Sequence, residues 1–422
     1  MKILHINTSD LAGGAARSAY RLHCGLRELG HDSQMLVDRK ISDDPNVIQY
    51  YGPSAISSRF YRKRRRAKIS HGIKAYDDSR PPGVERLFND DRSAHGHLLN
   101  VDIPDCDVIN LHWVSTFLDV SETLPYMASK VPIVWTLHDM NTMTGGCHYD
   151  SECGRYKNKC GECPRLGSND TEDLSRQIFL RKEKVFAALH KSNLTVVTPS
   201  SWLSSCADRS SLLNKFPRRV IPYGLETDVF APRDQAEARN VLGLPANAKI
   251  LLFVAGSISS PRKGLQFVPD AISVLKDENV LCVTVGPGAV KVVNTEWKPI
   301  SLGSVENDRF LSLIYSAADL LVCPSVQDNL PNTVLESILC GTPCVAFDIG
   351  GMPDMIDEGV TGWLASTVDS ASLAGAIQRG LKEVSPRRPE TVKKCAEAAR
   401  AKYGLNRQAE NYTKLYQTLV DA

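Results

Sequence analysis

The chain has 422 residues and a net charge of +2, with 42% hydrophobic against 23% charged residues, enough apolar material for two buried cores. That near-balance of charge argues against a general polyanion binder, and no apolar run approaches the ~18 residues that suggest a membrane-spanning helix. The first residues, Met-Lys-Ile-Leu-His-Ile-Asn, turn polar too early for a signal peptide, and twelve scattered cysteines suit a reducing cytoplasm better than a disulfide scaffold.

Residues 2–8 are expected to form a strand, followed by Ala12-Gly13-Gly14-Ala15-Ala16-Arg17 and a helix to about residue 30. Leu22, Leu26 and Leu29 recur at helical spacing and give that helix one apolar face. Strand, Gly-Gly turn and helix is how an α/β domain brings backbone N–H groups to a phosphate. The pattern is not a full Gly-x-Gly-x-x-Gly, so a tight turn without a ligand also fits.

Further strands are expected over 33–38 and 47–51. Residues 59–68 then carry seven cations in ten positions, either a solvated basic helix or loop, or a surface docking on an anionic membrane with Phe60 and Tyr61 at the interface. No recognised module accompanies the run, so nucleic acid is not an expected partner. Residues 107–113 and 132–139 are apolar strands suited to a buried parallel sheet, each ending in a polar group where open α/β sheets place ligands. His112 suits a structural role. His138, followed by Asp139, suits a site.

Directly after, at about 145–165, Cys147, Cys153, Cys160 and Cys163 follow the spacing C-x5-C-x6-C-x2-C. Four thiolates so close suit one tetrahedral zinc, with His148 able to replace a sulfur; free thiols or local disulfides are the alternatives. A helix over 176–192 and strands over 194–199 and 219–222 follow, and the Pro- and charge-bearing stretch 228–247 is expected to link two domains.

Residues 249–256 open a second α/β unit, then a loop ending in Arg262-Lys263-Gly264 and a helix to about Lys276. Two adjacent cations in a strand-to-helix loop suit a diphosphate, or simple surface charge. Strands over 280–285 and 300–305 and a helix over 307–320 lead into strand 320–324, a helix over about 331–339 with Pro331 first, Gly341 as its stop, and strand 343–347. The N–H groups of Asn332 and Thr333 would meet an anion at the positive helix end. Asp328, before the helix, and Glu336, inside it, would place two carboxylates along one crevice, fitting a diphosphate with a sugar at one end and a ribose at the other. An ordinary strand–helix–strand unit with two solvated acids is the alternative. Helices over 370–384 and 390–403 follow, and Tyr412, Leu415, Tyr416 and Leu419 recur at helical spacing in the tail.

The segment around Asp328 and Glu336, continuing through Asp348-Ile-Gly-Gly-Met-Pro-Asp-Met-Ile356 and Thr361-Gly-Trp-Leu-Ala365, resembles the C-terminal half of a family 4 retaining glycosyltransferase. The family's Glu-x7-Glu motif stands here as Asp328-x7-Glu336, its first acid one methylene shorter. The resemblance covers nearly the whole chain and is strongest over about 320–365. The cysteine-rich stretch after Leu137-His138-Asp139 resembles a bacterial exopolysaccharide subgroup of the colanic-acid type.

What the resemblance implies is an α/β, GT-B architecture of two Rossmann-like domains facing across a cleft. They would be an acceptor-side domain (1–227), a nucleotide-sugar domain (228–404) and a terminal helix (405–422) crossing back to the first. The implied reaction moves a hexose-type sugar, with retention, from a nucleotide diphosphate sugar to a glycan or polyprenyl-linked acceptor. It would take place in the cytoplasm or peripherally on the inner membrane, in surface polysaccharide synthesis. Gly13 and Gly14 would lie under the diphosphate, with Arg17 nearby, and His138 would face the donor sugar, Asp139 contacting the acceptor or positioning the histidine. Asp328 would position that sugar, Glu336 would hold the ribose, and Asn329, Asn332 and Thr333 would complete the donor site. Arg262 and Lys263 would neutralise the departing phosphates, although many members place the arginine where Ser257 sits. Tyr223-Gly224 replaces a common Asn-Gly. No metal is implied for the chemistry, and zinc at the cysteines would be structural. A nucleotide-sugar epimerase of the same fold and a non-catalytic sugar-nucleotide-binding scaffold are the rivals.

Overall fold

A computed structural model describes residues 1–82, 87–275, 279–288, 297–384 and 388–422. They divide into two compact units, Met1–Pro222 with Gln408–Ala422, and Tyr223–Arg407. No helix among them is long and apolar enough to cross a membrane.

The first unit runs β1 (Lys2–Ser9), α1 (Gly14–Glu28), β2 (Asp32–Arg39), β3 (Val47–Gln49), α2 (Ile56–Lys74), β4 (Val108–Leu111), α3 (Val120–Ala128), β5 (Ile133–Thr136), α4 (Leu174–Ala188), β6 (Leu194–Thr198), α5 (Ser201–Arg209) and β7 (Arg218–Val220). Its strands pair in parallel in the order β3-β2-β1-β4-β5-β6-β7. Such a sheet is covered on both faces, which is why its strands are apolar at almost every position. Leu4, Ile6, Ile109, Leu111, Ile133 and Trp135 pack with Leu124, Met127, Phe179, Phe186 and Leu203 of α3, α4 and α5. Ile3, Val108, Val134 and Val197, on the opposite face, pack with Leu22 and Leu26 of α1 and with Tyr412 and Tyr416 of the tail. Towards the carboxyl ends that second face turns polar, carrying His5, Asn110, His112, Thr136 and His138.

The second unit runs α6 (Gln235–Leu242), β8 (Lys249–Val254), α7 (Val268–Ser273), β9 (Val280–Val285), β10 (Ile300–Ser301), α8 (Asp308–Ala317), β11 (Leu320–Cys323), α9 (Asn332–Leu339), β12 (Cys344–Phe347), β13 (Gly362–Ala365), α10 (Ser370–Val384) and α11 (Arg388–Tyr403). Its sheet is again parallel, in the order β10-β9-β8-β11-β12-β13. One face packs under α6, α8, α9 and α11, the other under α7 and α10. The last helix, α12 (Leu405–Val420), returns the chain to the first unit, where the Asn110 amide donates to the Tyr416 hydroxyl at 2.7 Å and Thr136 bonds Tyr412 at 2.9 Å.

Several expectations change. The stretch 228–247 is not a linker, because α6 buries Ala238 in the second core and the Arg239 guanidinium meets the Asp319 carboxylate at 2.8 Å. Tyr223 and Leu225 pack into the same core, so the second unit begins before residue 228. After Gly264 the chain makes a 3-10 turn and a short α7 starting at Val268-Pro269; the expected end, Lys276, lies outside the described residues. β10 stops at Ser301, and α8 ends at Ala317 so that Leu320 can open β11. Pro331 caps α9 from outside instead of opening it.

Candidate active site

In the second unit the loop between β11 and α9 is held from both sides by turns that require glycine. Gly264 has φ +74°, and a Cβ there would lie 1.7 Å from the Pro324 carbonyl oxygen. Gly350 has φ +57°, and a Cβ there would lie 2.1 Å from the Asp328 carbonyl oxygen. Left-handed backbone and close approach both favour glycine at these two positions. The Val326 N–H donates to the Arg262 carbonyl at 2.9 Å, and the Gly351 N–H to the Asp328 carbonyl at 3.1 Å.

This clamp brings four of the expected site residues together. Lys263 Nζ lies 2.6 Å and Arg262 Nη1 3.1 Å from Asp328 Oδ2, which also accepts from the Ser325 hydroxyl at 3.3 Å. Asp328 Oδ1 accepts from the Asn329 N–H at 3.1 Å. Burial alone would raise the Asp328 pKa, but the adjacent Lys263 and Arg262 charges hold it well below the ordinary carboxylate range. Arg262 also donates to the Gln327 carbonyl at 2.9 Å.

Glu336 is in α9 and accepts from the Tyr315 hydroxyl of α8 at 2.9 Å. Burial and the Glu336 charge together push that phenol well above its usual range. Asp328 is 6% exposed and Glu336 5%, which excludes two solvated acids. Asn332 and Thr333 form the half-buried first turn of α9.

In the first unit, Gly13 caps α1 with φ +87°, and no atom lies within 4 Å of where its Cβ would stand. Gly13 and Gly14 are exposed. The turn is braced by the buried Asp10 carboxylate, which accepts from the Leu11, Ile41 and Ser42 N–H groups at 2.8–3.1 Å.

His138 follows β5 and is buried. Its Nε2 is 3.1 Å from His112 Nδ1, and His112 Nε2 is 2.9 Å from His5 Nδ1. Burial pushes the His138 ring down to about 4 despite Asp139 beside it, and drives His5 and His112 well below the usual range. His112 is therefore tied to His138 itself. Asp139 takes other partners: His148 Nδ1 at 2.6 Å, Trp113 Nε1 at 2.9 Å and the Asn141 N–H at 2.8 Å.

Among the described residues no group of three or more His, Cys, Asp or Glu side chains is arranged to hold a metal ion. Cys147 and Cys163 instead pack as small hydrophobes with Phe88, Leu166, Leu174 and Ile178, and burial raises all four thiols, Cys160 to about 12. His148 has both ring nitrogens occupied, the second by Asn89 Oδ1 at 2.7 Å. The start of the loop is tied down by the buried Lys182 ammonium, which donates to the Asn141 and Thr144 carbonyls at 2.6 and 3.0 Å.

Sequence reasoning missed Tyr315 and Ser325 and left His5 out of the site. The alternation of polar residues at 5 and 7, 110 and 112, and 136 and 138 was the available signal.

Residues 248–383 match the family model described as Glycosyl transferases group 1. A D-inositol 3-phosphate glycosyltransferase of Mycobacterium sp. (strain JLS) is 35% identical over 199 residues, 44% of each chain. One of Geodermatophilus obscurus is 33% identical over 181 residues, 38% of this chain and 40% of that one. The chain thus spans less than half the length of these relatives. Among solved structures, sucrose-phosphate synthase from Thermosynechococcus elongatus is 18% identical, with a TM-score of 0.64 and 99% of both chains covered. Anabaena Alr3699/HepE in complex with UDP-glucose is 14% identical, with a TM-score of 0.63, 99% of this chain and 100% of that one covered. The chain therefore has the fold of the GT-B glycosyltransferases, and its second unit carries the match to glycosyl transferases group 1.

Proposed function

We propose that the chain is a retaining hexosyltransferase that moves a sugar from a nucleotide diphosphate sugar to a glycan or polyprenyl-linked acceptor in bacterial surface polysaccharide synthesis. The observation that carries this reading is the pairing of the half-buried Arg262 and Lys263 with the buried Asp328 beside the start of α9. Two fixed cations beside a helix N-terminus suit the charge that develops on a departing diphosphate. Donor binding shares these cations with the phosphates, leaving Asp328 to accept from sugar hydroxyls, while Glu336 accepts from the ribose. His138 contacts the donor sugar, and the Gly13–Gly14 turn admits the diphosphate closely. The acceptor oxygen bonds to the anomeric carbon as the bond from that carbon to the β-phosphate oxygen breaks. The hydroxyl proton leaves on the nucleoside diphosphate. UDP-glucose in the name of a structure sharing the fold supports a donor of this class.

A lipid-linked acceptor is supported by α2. This helix has no acidic residue, and Arg59, Lys63, Arg64, Arg66, Lys68 and Lys74 are exposed on it with Ile56 and Phe60. Arg65, paired with Asp119 and Glu122, tethers it. Each cation near an anionic leaflet adds about 1 kcal/mol. Co-sedimentation with liposomes should follow anionic lipid content and weaken when these cations are neutralised; indifference to both removes the membrane from the proposal.

The test of the donor site is a thermal-shift panel of UDP-, GDP-, ADP- and TDP-sugars with Glu336→Ala alongside. One nucleotide class should stabilise the wild type and not the variant. No shift with any donor favours the scaffold. Interconversion of a donor without acceptor, followed by NMR, identifies the epimerase.

A further inference from the structure

At the carboxyl rim of the first sheet, one residue beyond His112 and His138, the chain sets Trp113 against Asp139. Trp113 Nε1 donates to Asp139 Oδ2 at 2.9 Å, and the same oxygen lies 2.6 Å from His148 Nδ1. The His148 ring stacks on the indole, centroids 5.3 Å apart and planes at 28°. Asn89 Oδ1 pins His148 from its other nitrogen at 2.7 Å, and the main-chain N–H of Trp113 donates to Asn7 Oδ1 at 2.8 Å. The indole is thus fixed at its N–H edge and backed on one face. Trp113 is nevertheless only half-buried, and no second ring lies against it among the described residues. The Asp139 carboxylate, in contrast, already serves three donors, the third being the Asn141 N–H at 2.8 Å.

The loop that follows points the same way. Val114 and Phe117 are buried in the core, leaving Ser115 half-buried and Thr116 exposed at the rim. Thr116 has φ +71°. A β-branched residue in left-handed backbone is a genuine outlier, held only where its surroundings over-determine it, and such positions gather at ligand sites. Here the Phe117 and Leu118 N–H groups close a turn on the Val114 carbonyl at 3.1 and 3.0 Å, and the Thr8 hydroxyl donates to the Ser115 carbonyl at 2.8 Å.

A flat apolar surface with polar groups at its margin complements a pyranose ring, which presents C–H groups on a face and hydroxyls at its edge. A polyprenyl tail would need a continued apolar groove, whereas the neighbours of this indole are His148, Asp139 and the Ser115–Thr116 turn. We propose that Trp113 is a platform on which a pyranose ring of the acceptor stacks, with the Thr116 hydroxyl at the ring's edge. Asp139 and His148 are then positioning residues that hold the indole in place. Because the platform is fixed before the sugar arrives, little side-chain freedom is lost on binding. That the ring belongs to the acceptor rests on the transferase reading; that it binds at Trp113 does not.

The test is saturation-transfer NMR on the full chain, without donor, using the methyl α-glycosides of glucose, galactose, mannose and fucose as probes. At least one glycoside should be saturated, most strongly at the C–H protons of a single ring face. Trp113→Phe, which keeps an aromatic face, should retain the transfer; Trp113→Leu, which keeps only apolar bulk, should lose it. Thr116→Gly separates a ligand role from a structural one, since it relieves the left-handed backbone: melting temperature should not fall, yet glycoside binding should weaken. In sugar transfer, Trp113→Leu should raise the acceptor KM on the order of tenfold and leave the donor KM unchanged. No saturation of any glycoside, or equal saturation in Trp113→Leu, overturns the proposal. A matching rise in donor KM, the mark of a general loss of structure, overturns it too. If Trp113→Leu does not fold, the wild-type spectrum and Thr116→Gly decide: saturation without face preference, or undiminished in Thr116→Gly, overturns it. If glycosides bind at Trp113 but no donor supports transfer, the transferase reading fails and the platform stands.

Discussion

Replacing Gly264 by alanine isolates the clamp that holds Asp328. The left-handed backbone at φ +74° costs a non-glycine residue about 1 kcal/mol. The new Cβ would also stand 1.7 Å from the Pro324 carbonyl oxygen and 2.6 Å from its carbon, so main chain must move by more than an ångström. That shift breaks the bond between the Val326 N–H and the Arg262 carbonyl, worth about 1 kcal/mol, and draws Asp328 away from Lys263 and Arg262. Leaving a buried carboxylate imperfectly paired adds at least as much again, for a total on the order of 3–4 kcal/mol. Gly243 is the control. It has φ +64° with no atom within 4 Å of its Cβ position, so Gly243→Ala costs only the backbone contribution, about 1 kcal/mol. By calorimetry, at roughly 2–4 °C per kcal/mol for a domain of this size, Gly264→Ala should lower the melting temperature by roughly 6–16 °C and Gly243→Ala by roughly 2–4 °C. Equal losses would show that the close approach at Pro324 carries no energy, and the account of the clamp would fall.

Two further outcomes follow from the buried groups. Unfolded histidines bind protons near pH 6.5, whereas folded His138 does so only near 4, so between these values the unfolded state holds more protons and stability rises with pH. The first unit should therefore be fully stable above about pH 6.5 and lose about 2 kcal/mol at pH 5 from His138 alone, with His5 and His112 adding losses of the same sign. Melting temperatures at pH 8 and pH 5 check this, and a His138→Gln variant should narrow the difference; a flat profile would refute it. Asp328 acts lower, its contribution present above about pH 3.9 and lost only as the pH falls towards its depressed native value. Reduced protein purified without chelator should contain less than about 0.2 zinc per chain; stoichiometric zinc would mean that the four cysteines converge in a way the packing of Cys147 and Cys163 does not show.

Buried parallel strands announce themselves as continuous apolar runs, so both sheets were readable to within a residue or two at most strands. Position 239 was not, because an arginine in a Pro- and charge-bearing stretch counts as solvent-facing until its partner, Asp319, is known. The zinc expectation rests on cysteine spacing, which records proximity along the chain, whereas the packing of Cys147 and Cys163 with Phe88, Leu174 and Ile178 is not written in that spacing. Asp328, Glu336, Arg262 and Lys263 were visible as residues. Their pairing was not, since Lys263 lies 65 positions from the carboxylate it holds and Arg262 is its neighbour. Tyr315 and His5 escaped notice because each acquires its role only through a strand or helix distant in sequence.

The tail helix has a consequence for the order in which the protein can assemble. The first unit is not contiguous: Asn110 and Thr136 receive the Tyr416 and Tyr412 hydroxyls from a segment made only after Tyr223–Arg407 has been synthesised. A ribosome adding about 5–20 residues per second needs roughly 10–40 s to cross that interval. Through it, the nascent first sheet carries a strip of Ile3, Val108, Val134 and Val197 that lacks Tyr412 and Tyr416, beside an Asn110 amide N–H without its partner. The second unit, being continuous, can close first. The amino-terminal half of this chain is thus the last to be finished, and a chaperone acting during synthesis would find its binding surface on that strip.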